Sequence, residues 1–143
     1  MDSRYARQVV MPEIGVAGQE HLQSVSVLVV GAGGLGSPVL LYLAAAGVGT
    51  LGIADNDKVS VTNLNRQILY TPEDLGRSKA VTAVQRIREL NPSVKGIPHE
   101  VRVLRENGLQ LVRDYDLVVE ASDNLETKSL MNGLSVDAGI PLV

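Results

Sequence analysis

The sequence predicts an α/β fold built on a doubly wound, mainly parallel sheet, and three observations carry that expectation. Val25, Val27, Leu28, Val29 and Val30 form an almost unbroken and largely β-branched apolar run, the pattern of a strand covered on both faces. The run stops at Gly31, Gly33 and Gly36, a G-x-G-x-x-G spacing with Gly34 inside it, and a helix-like segment follows. Strand-like and helix-like stretches then alternate to the end of the chain, which under the right-handed crossover rule gives parallel strands with helices on both faces. The expected strand order is 3-2-1-4-5, a Rossmann-like sheet, preceded by a short helical extension. With 143 residues, 45% of them hydrophobic and 3% aromatic, the chain reads as a single domain, residues 1–143, whose core is built from aliphatic side chains.

Taken in order, Ser3 to Gly18 holds apolar residues broken by Pro12 and Gly15, which predicts short helical pieces and a turn. Val25 to Val30 is the first strand. Leu35 to Ala46 reads as a buried helix with Pro38 in its first turn, where a missing N–H costs little, and Gly47 as its stop. Thr50 to Ala54 is a second strand ending at Asp55. From Asn56 to Leu75 no long element is evident, although Asn63 to Leu69 has room for a helical turn or two. So long a connection marks a functional insertion. Arg77 to Asn91 is an amphipathic helix with Ala80, Ala83, Val84, Ile87 and Leu90 on one stripe, stopped by Pro92. Val94 to Val103 is a third strand region in which Pro98 implies an edge or a bulge. Asn107 to Asp114 is a short helix, Asp116 to Ala121 a fourth strand, Leu125 to Ala138 a helix, and Ile140 to Val143 the start of a fifth strand.

The glycine cluster points to phosphate. Glycine permits positive φ and close approach of backbone N–H groups to an anion, and the helix that follows presents unpaired donors and a positive dipole end. The alternative is a turn with no ligand. Asp55, 19 residues past Gly36, stands where a dinucleotide fold sets an acid against a ribose hydroxyl; it also fits a plain loop aspartate in the turn DNDK. Lys79 falls in the first turn of its helix, where the dipole disfavours a cation unless an anion is near, unless it is a solvated surface lysine. Ser122-Asp123-Asn124 follows the fourth strand, and Asp123 with Glu126 also fits a capping box. His21 and His99 read as structural.

A nicotinamide cofactor accounts for the glycines and Asp55 but not for an arginine and a lysine brought in from the insertion and a helix start. ATP asks for such cations around its phosphates and for a carboxylate toward magnesium, roles that suit Arg66, Lys79 and Asp123. The formal net charge of -3 gives no reason to expect nucleic acid. No apolar stretch is long enough to span a bilayer and the N-terminus lacks a signal-peptide core, so no membrane partner is expected and a cytoplasmic protein is. The absence of cysteine excludes disulfides, thiolate metal sites and a thiol nucleophile within this stretch.

Six ordered motifs spread over essentially the whole chain resemble the ThiF/MoeB/HesA family, bacterial relatives of ubiquitin-activating enzymes. They are R-Y-A-R-Q at Arg4 to Gln8, G-A-G-G-L-G at Gly31 to Gly36, D-N-D at Asp55 to Asp57, N-L-N-R-Q at Asn63 to Gln67, G-R-S-K-A at Gly76 to Ala80 and S-D-N at Ser122 to Asn124. The resemblance implies ATP-dependent adenylation of the C-terminal glycine of a small ubiquitin-like sulfur-carrier protein, of the thiamine or molybdopterin type, with release of pyrophosphate. It implies that Gly31, Gly33, Gly34, Gly36, Asp55, Asp57, Asn63, Arg66, Gln67 and Lys79 bind the nucleotide and that Asp123 positions Mg²⁺. It also implies a homodimer in which Arg7 is donated in trans to the partner's phosphates, so that Arg7, Arg66, Lys79 and Asp123 form the catalytic set. Family members continue well beyond a chain of this length, often with a Cys-x-x-C zinc pair, so this stretch is expected to be the N-terminal ATP-binding part and no zinc is expected in it. A nucleotide-binding or dimerisation module without turnover is the alternative, and a nicotinamide-dependent oxidoreductase the remoter one.

Overall fold

The computed structural model describes residues 2–143; Met1 lies outside the described residues. Four parallel strands, β1 (Ser26–Val30), β2 (Thr50–Ala54), β3 (Lys95–His99) and β4 (Leu117–Glu120), lie in the order β3-β2-β1-β4. The expected fifth strand is present only as a bridge. Leu142 pairs in parallel with Val118, with Val143 donating to Val118 O at 3.0 Å, outside β4 and in the predicted order. Pro141 supplies no N–H to a longer ladder there, though its carbonyl accepts from Val118 N at 3.0 Å. Pro98 stands in β3, at the opposite edge, where a strand tolerates a missing donor.

Helices cover both faces. Val27, Val29, Leu51 and Ile53 face α3 (Gly36–Ala46) and α4 (Lys79–Leu90), meeting Leu40, Ala44, Ala80, Ala83 and Ile87. The alternate residues of β1, Leu28 and Val30, join Val118 against Val112 of α5 (Arg105–Arg113) and Met131 and Leu134 of α6 (Leu125–Ala138). Val27 to Val30 are therefore each buried on one face or the other, which is why that run carries no polar alternation. After β3 the chain changes faces, and the crevice between the C-terminal ends of β1 and β4 is the switch point of the sheet. Among the described residues no helix is long and apolar enough to cross a membrane.

The N-terminal extension is more helical than expected: a 3-10 turn Ser3–Tyr5, α1 (Ala6–Val9) and α2 (Gly15–Ser24). It docks on the C-terminal end of α3. The Gln8 and Gln19 carboxamides both donate to Ala46 O, at 3.1 and 3.0 Å, and the buried Tyr5 hydroxyl accepts from Asn91 Nδ2 at 2.8 Å. Gly47, at φ 87°, ends α3 directly under the Tyr5 ring; a Cβ there would meet the ring at 2.6 Å. In the R-Y-A-R-Q segment Tyr5 and Gln8 are thus anchors, and Arg7 is left exposed.

Candidate functional site

A cleft of about 660 Å³ opens beyond the C-terminal ends of β1, β2 and β4 and is lined by Gly31, Gly33, Gly34, Asp55, Asp57, Arg66, Gln67, Lys79 and Asp123. That volume is ordinary for a small-molecule site. The glycines earn their positions in different ways. Gly31 has φ 96°, and a Cβ on it would stand 2.8 Å from Ala121 O; one on Gly36 would stand 1.9 Å from Gly31 O. These two let the loop fold back on itself and α3 begin against it. Gly33 and Gly34 lie beside the side chains of Gln67 and Arg66, where a Cβ would make ordinary contacts, 3.4 Å to Gln67 Nε2 and 3.6 Å to Arg66 Cδ respectively, so the fold of the loop does not itself demand glycine there. Gly36 contributes to the loop's shape without lining the cleft.

Ala32, the fully buried residue of the loop, is held from two sides. Its N–H donates to Asp55 Oδ2 at 2.9 Å, and its carbonyl accepts from the Tyr70 hydroxyl at 2.6 Å. Asp55 Oδ1 in turn accepts from Asp57 N at 2.8 Å. Asp55 is therefore a structural tie for the glycine loop as well as a residue of the cleft lining. Sequence spacing located Asp55 but could not reveal this second task, and nothing in the local pattern marked Tyr70.

Lys79 is no surface residue. It opens α4 and is 5% exposed, with Nζ 3.9 Å from Asp57 Oδ2, an approach too long for a hydrogen bond. A lysine with a packed stem at the positive end of a helix, facing the cleft and with Asp57 as its one ion-pair partner among the described residues, stands ready for a further anion. Gln67 is 4% exposed, and its Oε1 is buried with no hydrogen-bond partner. Arg66 sits at the cleft wall with its guanidinium lightly tethered, Nη1 donating to Thr62 O and Asn65 Oδ1, both at 3.1 Å.

The capping alternative for Asp123 does not hold. Asn124 caps α6, its Oδ1 accepting from Thr127 N at 2.8 Å, which leaves the exposed Asp123 carboxylate free of any hydrogen bond or ion pair among the described residues. Neighbouring Ser122 is fixed by its own N–H donating to Glu120 Oε1 at 2.9 Å, and Glu120 is paired with Lys128 at 2.6 Å. No group of three or more His, Cys, Asp or Glu side chains forms a ready metal cage among the described residues.

Besides Gly36, one expected nucleotide ligand falls outside the lining. Asn63 lies outside the cleft lining and uses Oδ1 to accept from Ser60 N at 2.9 Å, closing the turn that delivers Arg66 and Gln67. Arg7, expected to serve a second subunit's site, is exposed on α1, outside the lining of this chain's own cleft. Conversely, Arg102, from the segment after β3, lies on the rim with Nη2 3.9 Å from the Glu126 carboxylate, and sequence reasoning missed it because no motif surrounds it. His99 is structural as expected: Nε2 is 2.7 Å from the Tyr115 hydroxyl, burial pushes the imidazole pKa down, and burial with the nearby Asp114 pushes Tyr115 up to about 12.

Comparison with known proteins agrees with this architecture. The sequence profile described as the ThiF family matches residues 5–143. A sulfur carrier protein adenylyltransferase of Thermus thermophilus is 54% identical over 140 residues, covering 98% of this chain and 52% of the relative. A probable adenylyltransferase/sulfurtransferase MoeZ of Mycobacterium tuberculosis is 48% identical over 141 residues, covering 99% of this chain and 36% of that one. Among solved structures, Escherichia coli tRNA N6-threonylcarbamoyladenosine dehydratase in complex with ATP superposes with a TM-score of 0.91 at 30% identity, over 97% of this chain and 57% of its own. The chain thus spans about half the length, or less, of the curated relatives it matches. With the family profile matched from Tyr5 to the last residue, the chain belongs to the ThiF family.

Proposed function

We propose that this chain is the ATP-binding part of an adenylyltransferase that activates the C-terminal carboxylate of a small ubiquitin-like sulfur-carrier protein. The observation that carries the reading is the convergence of the glycine loop, the buried Lys79, Arg66 and the unengaged Asp123 on one cleft. The 54% identity to a sulfur carrier protein adenylyltransferase supports that substrate over the tRNA nucleoside of the structural neighbour at 30%.

In this reading Asp55 receives the ribose hydroxyls and the glycine-loop amides face the phosphates. Lys79 and Arg66 neutralise the charge that builds on the phosphate oxygens. A carrier carboxylate is already ionised at neutral pH, so its oxygen attacks the α-phosphorus without a general base, the bond to the bridging oxygen breaks, and pyrophosphate leaves with that electron pair. Acceleration then comes from in-line positioning and from charges fixed in advance of the reaction. Mg²⁺ binds through one or two carboxylates plus phosphate oxygens and water, and Asp123 suits that role because its carboxylate is exposed and unengaged. The ion would screen phosphate charge. Arg7, exposed on the anchored N-terminal segment, is available to a second subunit in a homodimer.

The test is carrier-dependent exchange of pyrophosphate into ATP by a protein containing this chain. Asp123→Ala is expected to abolish exchange while leaving the melting temperature within a degree or so, since an exposed carboxylate with no protein partner contributes little stability. Full exchange in that variant refutes the role of Asp123, and no exchange in the unsubstituted protein refutes the reaction.

A further inference from the structure

Three of the cleft's residues, Asp55, Asp57 and Lys79, are joined with Ala32 and Tyr70 in a closed hydrogen-bonded circuit. The Tyr70 hydroxyl lies 2.6 Å from Ala32 O and 3.5 Å from Lys79 O; Ala32 N–H reaches Asp55, Asp55 accepts from Asp57 N–H, and Asp57 O accepts from Lys79 N–H at 3.0 Å. The circuit joins the glycine loop, the end of β2, the start of α4 and the inserted segment. Tyr70 is the member that spans it: 5% exposed, it comes from the insertion and touches both the loop and the backbone of Lys79.

The geometry at Ala32 has a further consequence. A trans peptide points its carbonyl and its N–H in opposite directions. The carbonyl of the Ala32–Gly33 peptide is drawn inward by Tyr70, so the Gly33 N–H is turned the other way; Gly33 lines the cleft, and that N–H donates to no acceptor among the described residues. We propose that Tyr70 is a positioning residue for the anion site: its hydroxyl orients the Ala32–Gly33 peptide so that the Gly33 N–H faces a nucleotide phosphate, and holds the glycine loop at a fixed distance from Lys79. The phenol is suited to this because burial, reinforced by the nearby Asp55, Asp74 and Asp57 carboxylates, raises its pKa far above the ordinary value and keeps it a donor at any physiological pH.

The inference rests on the nucleotide reading and is tested by comparing two ligands that differ only in phosphate. Tyr70→Phe removes the hydroxyl and keeps the ring. Titrated calorimetrically with ATP and with adenosine, the variant is expected to lose about three- to tenfold in ATP affinity, the worth of one oriented hydrogen bond, and to bind adenosine unchanged. An equal loss for both ligands indicates a loosened cleft and overturns the inference, as does an unchanged ATP affinity. If the unsubstituted chain binds no ATP, the nucleotide reading itself is wrong and the inference falls with it. Should Tyr70→Phe fail to fold, the Gly33 amide resonance of the unsubstituted, ¹⁵N-labelled chain decides: a marked shift with ATP and none with adenosine supports the inference, and any other response overturns it.

Discussion

Replacing Lys79 with methionine separates what the cleft needs from what the fold needs. The two side chains have similar length, so packing around the stem is kept while the charge is removed. The lost attraction is small: Nζ and Asp57 Oδ2 are 3.9 Å apart, which corresponds to about 4 kcal/mol at an effective dielectric near 20, but the Asp57 side chain is 69% exposed and water screens the pair toward about 1 kcal/mol or less. Lys79 lines the open cleft, so its ammonium keeps access to water while the stem is packed, and among the described residues no protein hydrogen bond holds Nζ. Unlike the usual broken ion pair, the remaining carboxylate is solvated and leaves no orphaned charge. Lys79→Met is therefore expected to change the stability of the ligand-free chain by about 1 kcal/mol or less, within about 4 °C in Tm at this length. The same substitution removes a charge-assisted contact to phosphate, about 1.5 to 3 kcal/mol, and should weaken ATP about ten- to hundredfold. Urea unfolding with and without ATP reads both effects, since ligand-linked stabilisation follows the free ligand concentration relative to Kd. A ligand-free variant less stable than the parent by more than about 1.5 kcal/mol would make Lys79 a structural ion-pair partner and refute this account.

Gly36→Ala is expected to cost about 3 kcal/mol or more, because its Cβ would fall 1.9 Å from Gly31 O, backbone against backbone, with neither loop strand free to yield; urea midpoints measure it, and a cost below about 1 kcal/mol contradicts the tight return of the loop. Asn91→Ala strips the donor from Tyr5 Oη and Ala44 O, both at 2.8 Å in a fully buried setting, and should cost about 2 to 3 kcal/mol and make the N-terminal segment the first site of proteolysis. Asp74 is held below the usual carboxylate range: burial opposes its ionisation, but the Thr71 N–H and hydroxyl and the Arg86 guanidinium outweigh it. A depressed native pKa contributes stability above the ordinary carboxylate value and loses it as pH falls through the native one, so Asp74→Asn should be less stable at neutrality, and the difference should narrow as pH falls below the ordinary carboxylate range in urea titrations.

The parts of this molecule that obey local rules were legible in the chain, and those set by tertiary contact were not. β2 and α6 fall where the pattern put them, residue for residue, because a short apolar run stopped by Asp55 and a helix stopped by Gly139 carry their own punctuation. The two glycine pairs were equally visible as a motif, yet their division of labour, Gly31 and Gly36 for the fold of the loop and Gly33 and Gly34 for its contact with Gln67 and Arg66, needed coordinates. Adjacent Asp123 and Asn124 are both good caps, and only the register of α6 decides that Asn124 takes the task. Asn63 shows the converse: inside a nucleotide-like motif, its side chain closes a turn. Tyr70 and Arg102 gave no signal at all, since each acts across the sheet's end on residues far away in sequence.

The two margins of the sheet differ in what they permit. β3 carries Pro98, which offers no donor, and the exposed charge of Lys95, features that discourage another strand from docking alongside it. At the other margin Leu142 has already begun a parallel ladder on β4. Of the two margins, the one beside β4 therefore accepts a further parallel strand more readily than the one beside β3. A complementary peptide supplied in solution should anneal beside Leu142 rather than beside β3, which makes that margin the natural point for reassembling the protein from fragments or for appending a designed strand.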